Sequence, residues 1–273
     1  MTHNRAALRG LLDDHGLAPR RDLGQNFMVD ANTVRRIATL ADIAPGARVL
    51  EIGAGLGSLT LALVEHGATV TAVEVDPGLA AALREITAGM PEVTVVEGDA
   101  MRLDWPEVLD GHDEWVLVAN LPYNVATPLV CDLLDDVPAI TRMLVLVQDE
   151  AADRLCAGPG SKQYGAVSVK VAHHAVARKV GQVPATVFMP RPNVESALVA
   201  IERRRDPDAA GVDMELMFRL VRTAFGQRRK MLRRSLDGLV DGATFAAAGI
   251  DPEERPERLG LTDWYRLTRA VAR

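Results

Sequence analysis

EIGAGLGSLT, residues 51–60, continues the apolar run RVL at 48–50 and sets Gly53, Gly55 and Gly57 two residues apart ahead of an amphipathic stretch. Glycines are needed in that pattern where the backbone turns tightly from strand to helix and a ligand must approach without a Cβ in the way. The stretch therefore reads as strand, loop and helix. Four more short apolar runs follow, TVTAVEV (69–75), VTVVEG (93–98), WVLVAN (115–120) and MLVLVQ (143–148), with helical patterns after the second strand, at 77–89, and the fourth, at 126–136. Capping chemistry agrees: Gly67 closes the first helix, and Asp76 with Pro77 opens the second, which Gly89 closes. Strands alternating with helices predict an α/β fold with a doubly wound, mainly parallel sheet and helices on both faces. Ligands of such sheets bind at the carboxyl ends of the strands.

Outward from this core, the chain has 273 residues, of which 48% are apolar, enough for one large domain and a smaller companion. The first residues, MTHNRAALRGLLDDHG, carry charges throughout and lack the apolar stretch of a secretion signal, and no segment approaches a membrane span. A cytoplasmic protein without membrane association is expected. Cys131 and Cys156 have neither CxxC nor Cys/His spacing, so neither a disulfide framework nor a metal site is indicated.

Beyond Gln148, DEAADRL starts a helix, AGPGSKQYG is a loop, and VSVKVAHHAVARKV (167–180) and ESALVAIERR (195–204) read as strands. Between them VPATVFMPRPNVES is a proline-rich loop in which Phe188 reads as an exposed aromatic platform. On a strand, the neighbours His173 and His174 would face opposite sides and could not share a site, which leaves them structural. Composition then turns helical and basic, so a domain boundary is placed near residue 205, dividing the chain into 1–205 and a helical 206–273. The net charge is −6, yet the stretch from Arg219 to Ser235 carries Arg222, Arg228, Arg229, Lys230, Arg233 and Arg234 and no acid. An all-basic stretch in an acidic protein points to a polyanion.

Counting distinguishes this loop from a dinucleotide fingerprint. A dinucleotide fingerprint beginning at Gly53 would need its third glycine at position 58, which is Ser58. The spacing instead resembles the first motif of Rossmann-like methyltransferases, whose loop lies against the amino-acid portion of S-adenosylmethionine. Glu74, at the second strand end, stands where a carboxylate can accept from both ribose hydroxyls, and Asp99, at the third, where one can accept from the adenine amine. The fourth strand ends in Asn120, Leu121, Pro122 and Tyr123. An exocyclic adenine amine is a poor nucleophile because its lone pair is delocalised. The Asn120 amide oxygen and the Leu121 carbonyl can accept its two hydrogens, Pro122 can aim that carbonyl, and Tyr123 can stack on an extruded base.

Taken together, LGQNFMVD (23–30), EIGAGLGSLT, EVD (74–76), EGDA (97–100), NLPYNVATPLV (120–130), PGSKQYGAVSV (159–169), VFMPRPNVES (187–196) and AFGQRRKMLRRSL (224–236) resemble the small-subunit ribosomal RNA adenine dimethyltransferases (KsgA/RsmA type) over nearly the whole chain. The resemblance implies a class I methyltransferase domain with a small α-helical C-terminal domain. It implies S-adenosylmethionine bound by Asn26, Met28, Gly53, Gly55, Glu74, Asp99 and Asn120, and Phe188 stacked on the target adenine opposite Tyr123. It further implies dimethylation of N6 on two adjacent adenosines in the 3′-terminal hairpin loop of 16S rRNA, within the small ribosomal subunit or its late precursor, and a role in ribosome biogenesis. The basic C-terminal residues would contact that RNA, and a monomer is expected. Ala54 and Met28 depart from the family, which usually has Pro and Leu there. The alternatives are a resistance-type methyltransferase of large-subunit rRNA and an assembly or RNA-binding factor with dispensable catalysis. A DNA adenine methyltransferase would more often carry an acid in place of Asn120.

Overall fold

The computed structural model describes residues 3–20, 22–204 and 209–272. Helix α1 (Arg5–Asp14) precedes a two-residue strand β1 (Phe27–Met28) and α2 (Ala31–Leu40), after which the alternation begins: β2 (Arg48–Ile52), α3 (Ser58–Glu65), β3 (Thr69–Glu74), α4 (Pro77–Ile86), β4 (Val93–Glu97), α5 (Trp105–Val108), β5 (Trp115–Asn120), α6 (Ala126–Asp136) and β6 (Ile140–Gln148). Then come α7 (Asp149–Cys156), α8 (Ala166–His174), β7 (Ala175–Val183), β8 (Phe188–Met189) and β9 (Ser196–Arg203). The sheet has seven strands in the order β4-β3-β2-β5-β6-β9-β7. Its first five strands pair in parallel, and β9 lies antiparallel to β6. Val49, Leu50, Val70, Leu117 and Val145 are buried because helices cover both faces, which is why these strands read as unbroken apolar runs. The local signals act as read: the Asp76 carboxylate caps the backbone N–H groups of Gly78 and Leu79 ahead of Pro77-led α4, and Gly67 ends α3's turn at φ +87°.

The chain forms two compact units: Met1–Ala152 with Arg178–Arg203, and Asp153–Ala177 with Arg204–Arg273. A single division near residue 205 does not capture this, because 153–177 group with the C-terminal helices; the expected boundary itself falls in 205–208, outside the described residues. The second unit contains α9 (Met214–Gly226), α10 (Leu232–Ser235), α11 (Gly242–Ala248) and α12 (Leu261–Val271) around a core of Tyr164, Val169, Leu220, Phe245 and Trp264.

Two expectations are corrected. Residues 167–174 are helical, and the strand starts only at Ala175. Val167, Val169 and Val171 alternate as in a strand, but the Ser168 hydroxyl accepts from the Gly165 N–H (3.1 Å) and donates to the Arg154 carbonyl (2.6 Å), fixing a helical start. Val169 then buries among α9 and α12 residues, so tertiary partners override the β-branched alternation. His173 and His174 consequently sit in the last helical turn with their rings edge-on, centroids 4.5 Å apart, and His173 Nδ1 lies 2.7 Å from the Tyr265 hydroxyl.

Phe188 is the second correction. It is not an exposed platform: β8 pairs antiparallel with β1, matching Met28 to Phe188, and the ring is 0% exposed in a cluster with Met28, Val34, Leu146 and Leu198. A position between prolines suggested a surface loop, whereas the short ladder turns the ring inward. Phe188→Ala is expected to lower unfolding free energy by about 3–5 kcal/mol, the cost of emptying a packed aromatic site. Urea denaturation measures this, and a loss below about 1 kcal/mol would place the ring outside the core.

Candidate active site

The loop that follows β2 keeps its shape through backbone conformation. Gly53, Gly55 and Gly57 have φ of +77°, +58° and +79°, a region in which a side chain is strained. Space is also short at two of them: a Cβ on Gly55 would lie 3.0 Å from the Phe27 ring and one on Gly57 2.6 Å from Leu83, while one on Gly53 would only touch the Asn120 carbonyl and Pro122 at 3.5 Å. The loop thus passes between the β1 strand and the turn that ends β5.

Glu74, the last residue of β3, holds the loop from the other side. Its Oε2 accepts the Gly55 N–H at 2.8 Å and its Oε1 accepts the Asp76 N–H at 3.0 Å. Burial raises its pKa above the ordinary carboxylate value, and these amide hydrogen bonds oppose the rise. A carboxylate oxygen accommodates more than one donor, so Glu74 can hold the loop and still receive a hydroxyl.

Asn120 is oriented by the segment that precedes β1. Its Nδ2 donates to the Asn26 carbonyl at 3.0 Å, and the Asn26 side chain donates to the Gly24 carbonyl at 3.0 Å. A carbonyl can only accept, so the Asn120 amide must turn its nitrogen toward Asn26, which leaves Oδ1 as the acceptor for a ligand. Next to it the buried Leu121 is tied to β6 by its N–H on the Leu146 carbonyl (3.1 Å), and the Pro122 carbonyl accepts from Val125 and Ala126, closing the turn at the start of α6. Burial raises the pKa of Tyr123, whose hydroxyl lies 2.5 Å from that of Ser196.

These residues line one cleft. Asn26, Met28, Gly53, Gly55, Glu74, Asn120, Leu121, Pro122 and Tyr123 all border it. Asp99 and Phe188 do not: Asp99 is exposed at the end of β4, accepts the Met101 N–H at 3.0 Å and pairs with Arg102 at 3.6 Å. Of the lining residues not singled out from the sequence as site residues, Glu51 is the one that can carry a charge. Glu51 is 2% exposed, accepts the Thr60 hydroxyl at 2.6 Å, and is pushed up to about 8 by burial. It was legible as the acid ahead of the first glycine, but its burial inside the cleft was not. Among the described residues that line the cleft there is no Lys, Arg or His, and the acids are Glu51 and Glu74. A pyrophosphate would find no counter-charge among these groups. S-adenosylmethionine, with a sulfonium, an ammonium and no phosphate, suits this set of groups.

In the second unit, Arg222, Arg229, Lys230, Arg233 and Arg234 are exposed along α9, α10 and the turn between them. Arg233 pairs with Glu253 at 3.2 Å, an exposed contact of small energy. Arg228 corrects the expectation of a phosphate contact. Its Nε donates to Glu257 (2.9 Å), Nη1 to the Tyr164 carbonyl (2.6 Å) and Nη2 to the Ser161 carbonyl (3.1 Å). The guanidinium is committed to holding the 161–164 loop.

Residues 16–273 match the family model described as ribosomal RNA adenine dimethylase. A Cutibacterium acnes protein named ribosomal RNA small subunit methyltransferase A is 48% identical over 283 residues, covering 98% of this chain and 94% of that protein. Its namesake in Kineococcus radiotolerans is 48% identical over 269 residues, covering 95% and 88%. Among solved structures, the 23S rRNA methyltransferase ErmE matches with a TM-score of 0.70 at 27% identity, covering 90% of this chain and 100% of that one. A dimethyladenosine transferase from Plasmodium falciparum shares the fold, with a TM-score of 0.76 at 22% identity over 88% of this chain and 95% of that one.

Two tests follow from this geometry. Glu51 titrates near 4.5 in the unfolded chain and at about 8 in the folded one, so between these values the folded state holds a proton the unfolded state has lost. Stability should fall as pH rises through that window, by up to about 1.4 kcal/mol per pH unit. Glu51→Gln, which imitates the protonated acid, should flatten the slope in melts taken from pH 5 to 9; an unchanged slope would assign the pH dependence to other groups. Arg228→Ala should destabilise by about 2–4 kcal/mol, because it leaves two carbonyls and an acid without their donor. Arg229→Ala should stay within about 0.5 kcal/mol, and equal effects in denaturation would contradict the difference in roles.

Proposed function

The chain belongs to the ribosomal RNA adenine dimethylase family, and from that premise we infer that it dimethylates N6 of two adjacent adenosines in the 3′-terminal hairpin loop of 16S rRNA, within the small ribosomal subunit or its late precursor. It is an S-adenosylmethionine-dependent rRNA adenine methyltransferase. The observation that carries the site assignment is the NLPY turn standing beside the bare glycine backbone, with Glu74 on the flank of the same cleft. The small-subunit target is supported by the 48% identical relatives, which bear that name, against 27% identity to the 23S rRNA enzyme over a comparable span.

The cofactor supplies an electrophilic methyl group on a sulfonium. In the proposed arrangement Glu74 would receive the ribose hydroxyls, and the bare backbone of Gly53 and Gly55, with Asn26 and Met28, would hold the amino-acid portion. Asp99 stands outside the cleft lining and is given no part in this arrangement. Asn120 Oδ1 and the Leu121 carbonyl accept the two N6 hydrogens of the target, which draws the nitrogen toward a pyramidal, nucleophilic form. Tyr123 offers its ring to the base. With the cofactor bound, the nitrogen so held would be presented to the methyl carbon opposite its sulfur, and the N6 proton displaced by the new N–C bond would pass to solvent. The rate gain comes from positioning rather than from a base on the turn. Phe188 has no part in this arrangement while its ring is in the core.

Arg222, Arg229, Lys230, Arg233 and Arg234 give the second unit a phosphate-binding surface in a protein of net charge −6, which suits a target held in an assembled particle. We place the enzyme in the cytoplasm as a monomer. Among the described residues no helix is long and apolar enough to cross a membrane.

Labelled methyl transfer to small subunits from cells lacking the modification, with large subunits alongside and mass spectrometry of the digested RNA, tests the assignment. Dimethyladenosine in small-subunit RNA is expected; label in large-subunit RNA would overturn the target. Asn120→Ala should reduce transfer at least about 100-fold while calorimetric cofactor affinity stays within about threefold. Arg229→Glu with Lys230→Glu should shallow the salt dependence of subunit binding by roughly 0.7 per lost phosphate contact in log–log slope. An unchanged slope would move the RNA surface elsewhere.

A further inference from the structure

Tyr123 is attached to the NLPY turn only through its Cβ, and a tyrosine so placed at a cleft wall has several staggered χ1 positions open to it. A ring meant to receive a flat base must occupy one of them. The group that selects it is Ser196, the first residue of β9, 0% exposed, whose hydroxyl lies 2.5 Å from the Tyr123 hydroxyl. The contact is made at the ring's far end, where a single hydrogen bond restrains both side-chain torsions.

Ser196 is itself held on several sides. It pairs with Gln148 in the antiparallel β6–β9 ladder. The preceding residue closes the proline-rich loop, since Glu195 Oε2 accepts the Ala185 N–H at 3.0 Å and its carbonyl accepts the Asp149 N–H at 3.1 Å. The serine hydroxyl therefore stands on rigid backbone, and at zero exposure it needs a protein partner. Burial also raises the pKa of the phenol, which keeps its proton available for this bond.

We propose that Ser196 is a positioning residue for the target adenine: it fixes the Tyr123 ring at the angle that accepts the base, and so joins the proline-rich loop to the NLPY turn. The inference rests on the assignment of Tyr123 as the base-stacking ring, and the test separates the two.

Steady-state kinetics on small subunits, calorimetric S-adenosylmethionine binding and thermal melts are measured for Tyr123→Ala, Tyr123→Phe, Ser196→Ala and the Tyr123→Phe/Ser196→Ala pair. Tyr123→Ala should lower kcat/KM on the order of 100-fold through loss of stacking. Tyr123→Phe and Ser196→Ala should each lower it by about 5–30-fold, the worth of one buried hydrogen bond, with cofactor affinity unchanged. The double variant should be no worse than the weaker single, because both changes delete the same bond. Should Ser196→Ala fail to fold, Tyr123→Phe removes the bond from the other partner. Unimpaired Tyr123→Ala would overturn the stacking assignment itself. An impaired Tyr123→Ala with Tyr123→Phe and Ser196→Ala at wild-type kcat/KM would overturn the positioning role alone. So would additive losses in the double variant, or a lowered melting temperature with unchanged kinetics.

Discussion

Because β2 lies between β3 and β5 in a parallel sheet, the chain builds outward from β2 in one direction and then returns to lay β5 on its other side. The loops leaving the carboxyl ends of β2 and β5 must therefore part over opposite faces, and a crevice opens between them. Everything proposed for the site depends on that constraint. The glycine loop reaches the crevice from β2, NLPY from β5, and Glu74 from β3 on the flank. The segment before β1 reaches it through the Asn26–Asn120 hydrogen bond. In a sequential strand order Glu74 would still flank the glycine loop, but NLPY would not stand beside it.

The crevice is also an electrostatic choice. Among the described lining residues there is no cation to hold a phosphate, and the Glu74 carboxylate favours a ligand that brings hydroxyls or positive charge, while Glu51, pushed up to about 8, contributes little negative charge near neutrality. The basic residues stand elsewhere, on the second unit, where exposure keeps most of them available to a polyanion. The net charge of −6 describes neither the cleft nor this surface.

Local chemistry was readable wherever a residue's energetics are settled by its near neighbours. Positive φ at Gly53, Gly55 and Gly57, the Asp76–Pro77 cap and the apolar runs of β2 to β6 all followed from residues within a few positions of one another. The same locality explains the failure at 167–174. Val167, Val169 and Val171 satisfy the strand period, and only the Ser168–Arg154 hydrogen bond and the helices packed around Val169 make that stretch a helix. Arg228 in a run of exposed cations looked like its neighbours until Glu257, Tyr164 and Ser161 were brought to it.

By itself, then, the sequence determined the alternating α/β class, the glycine loop, the strand-end acids and the NLPY turn, because each is written in contiguous residues whose backbone geometry admits few alternatives. Tertiary structure decided which side chains face the cleft. It buried Glu51 in the cleft, left Asp99 outside the lining, turned Phe188 into the core through the β1–β8 ladder, and set Ser196 under the Tyr123 hydroxyl. The physical reason is distance along the chain. Phe188 pairs with Met28 and Ser196 with Tyr123, contacts that no local period records and that exist only once the sheet has brought remote strands together.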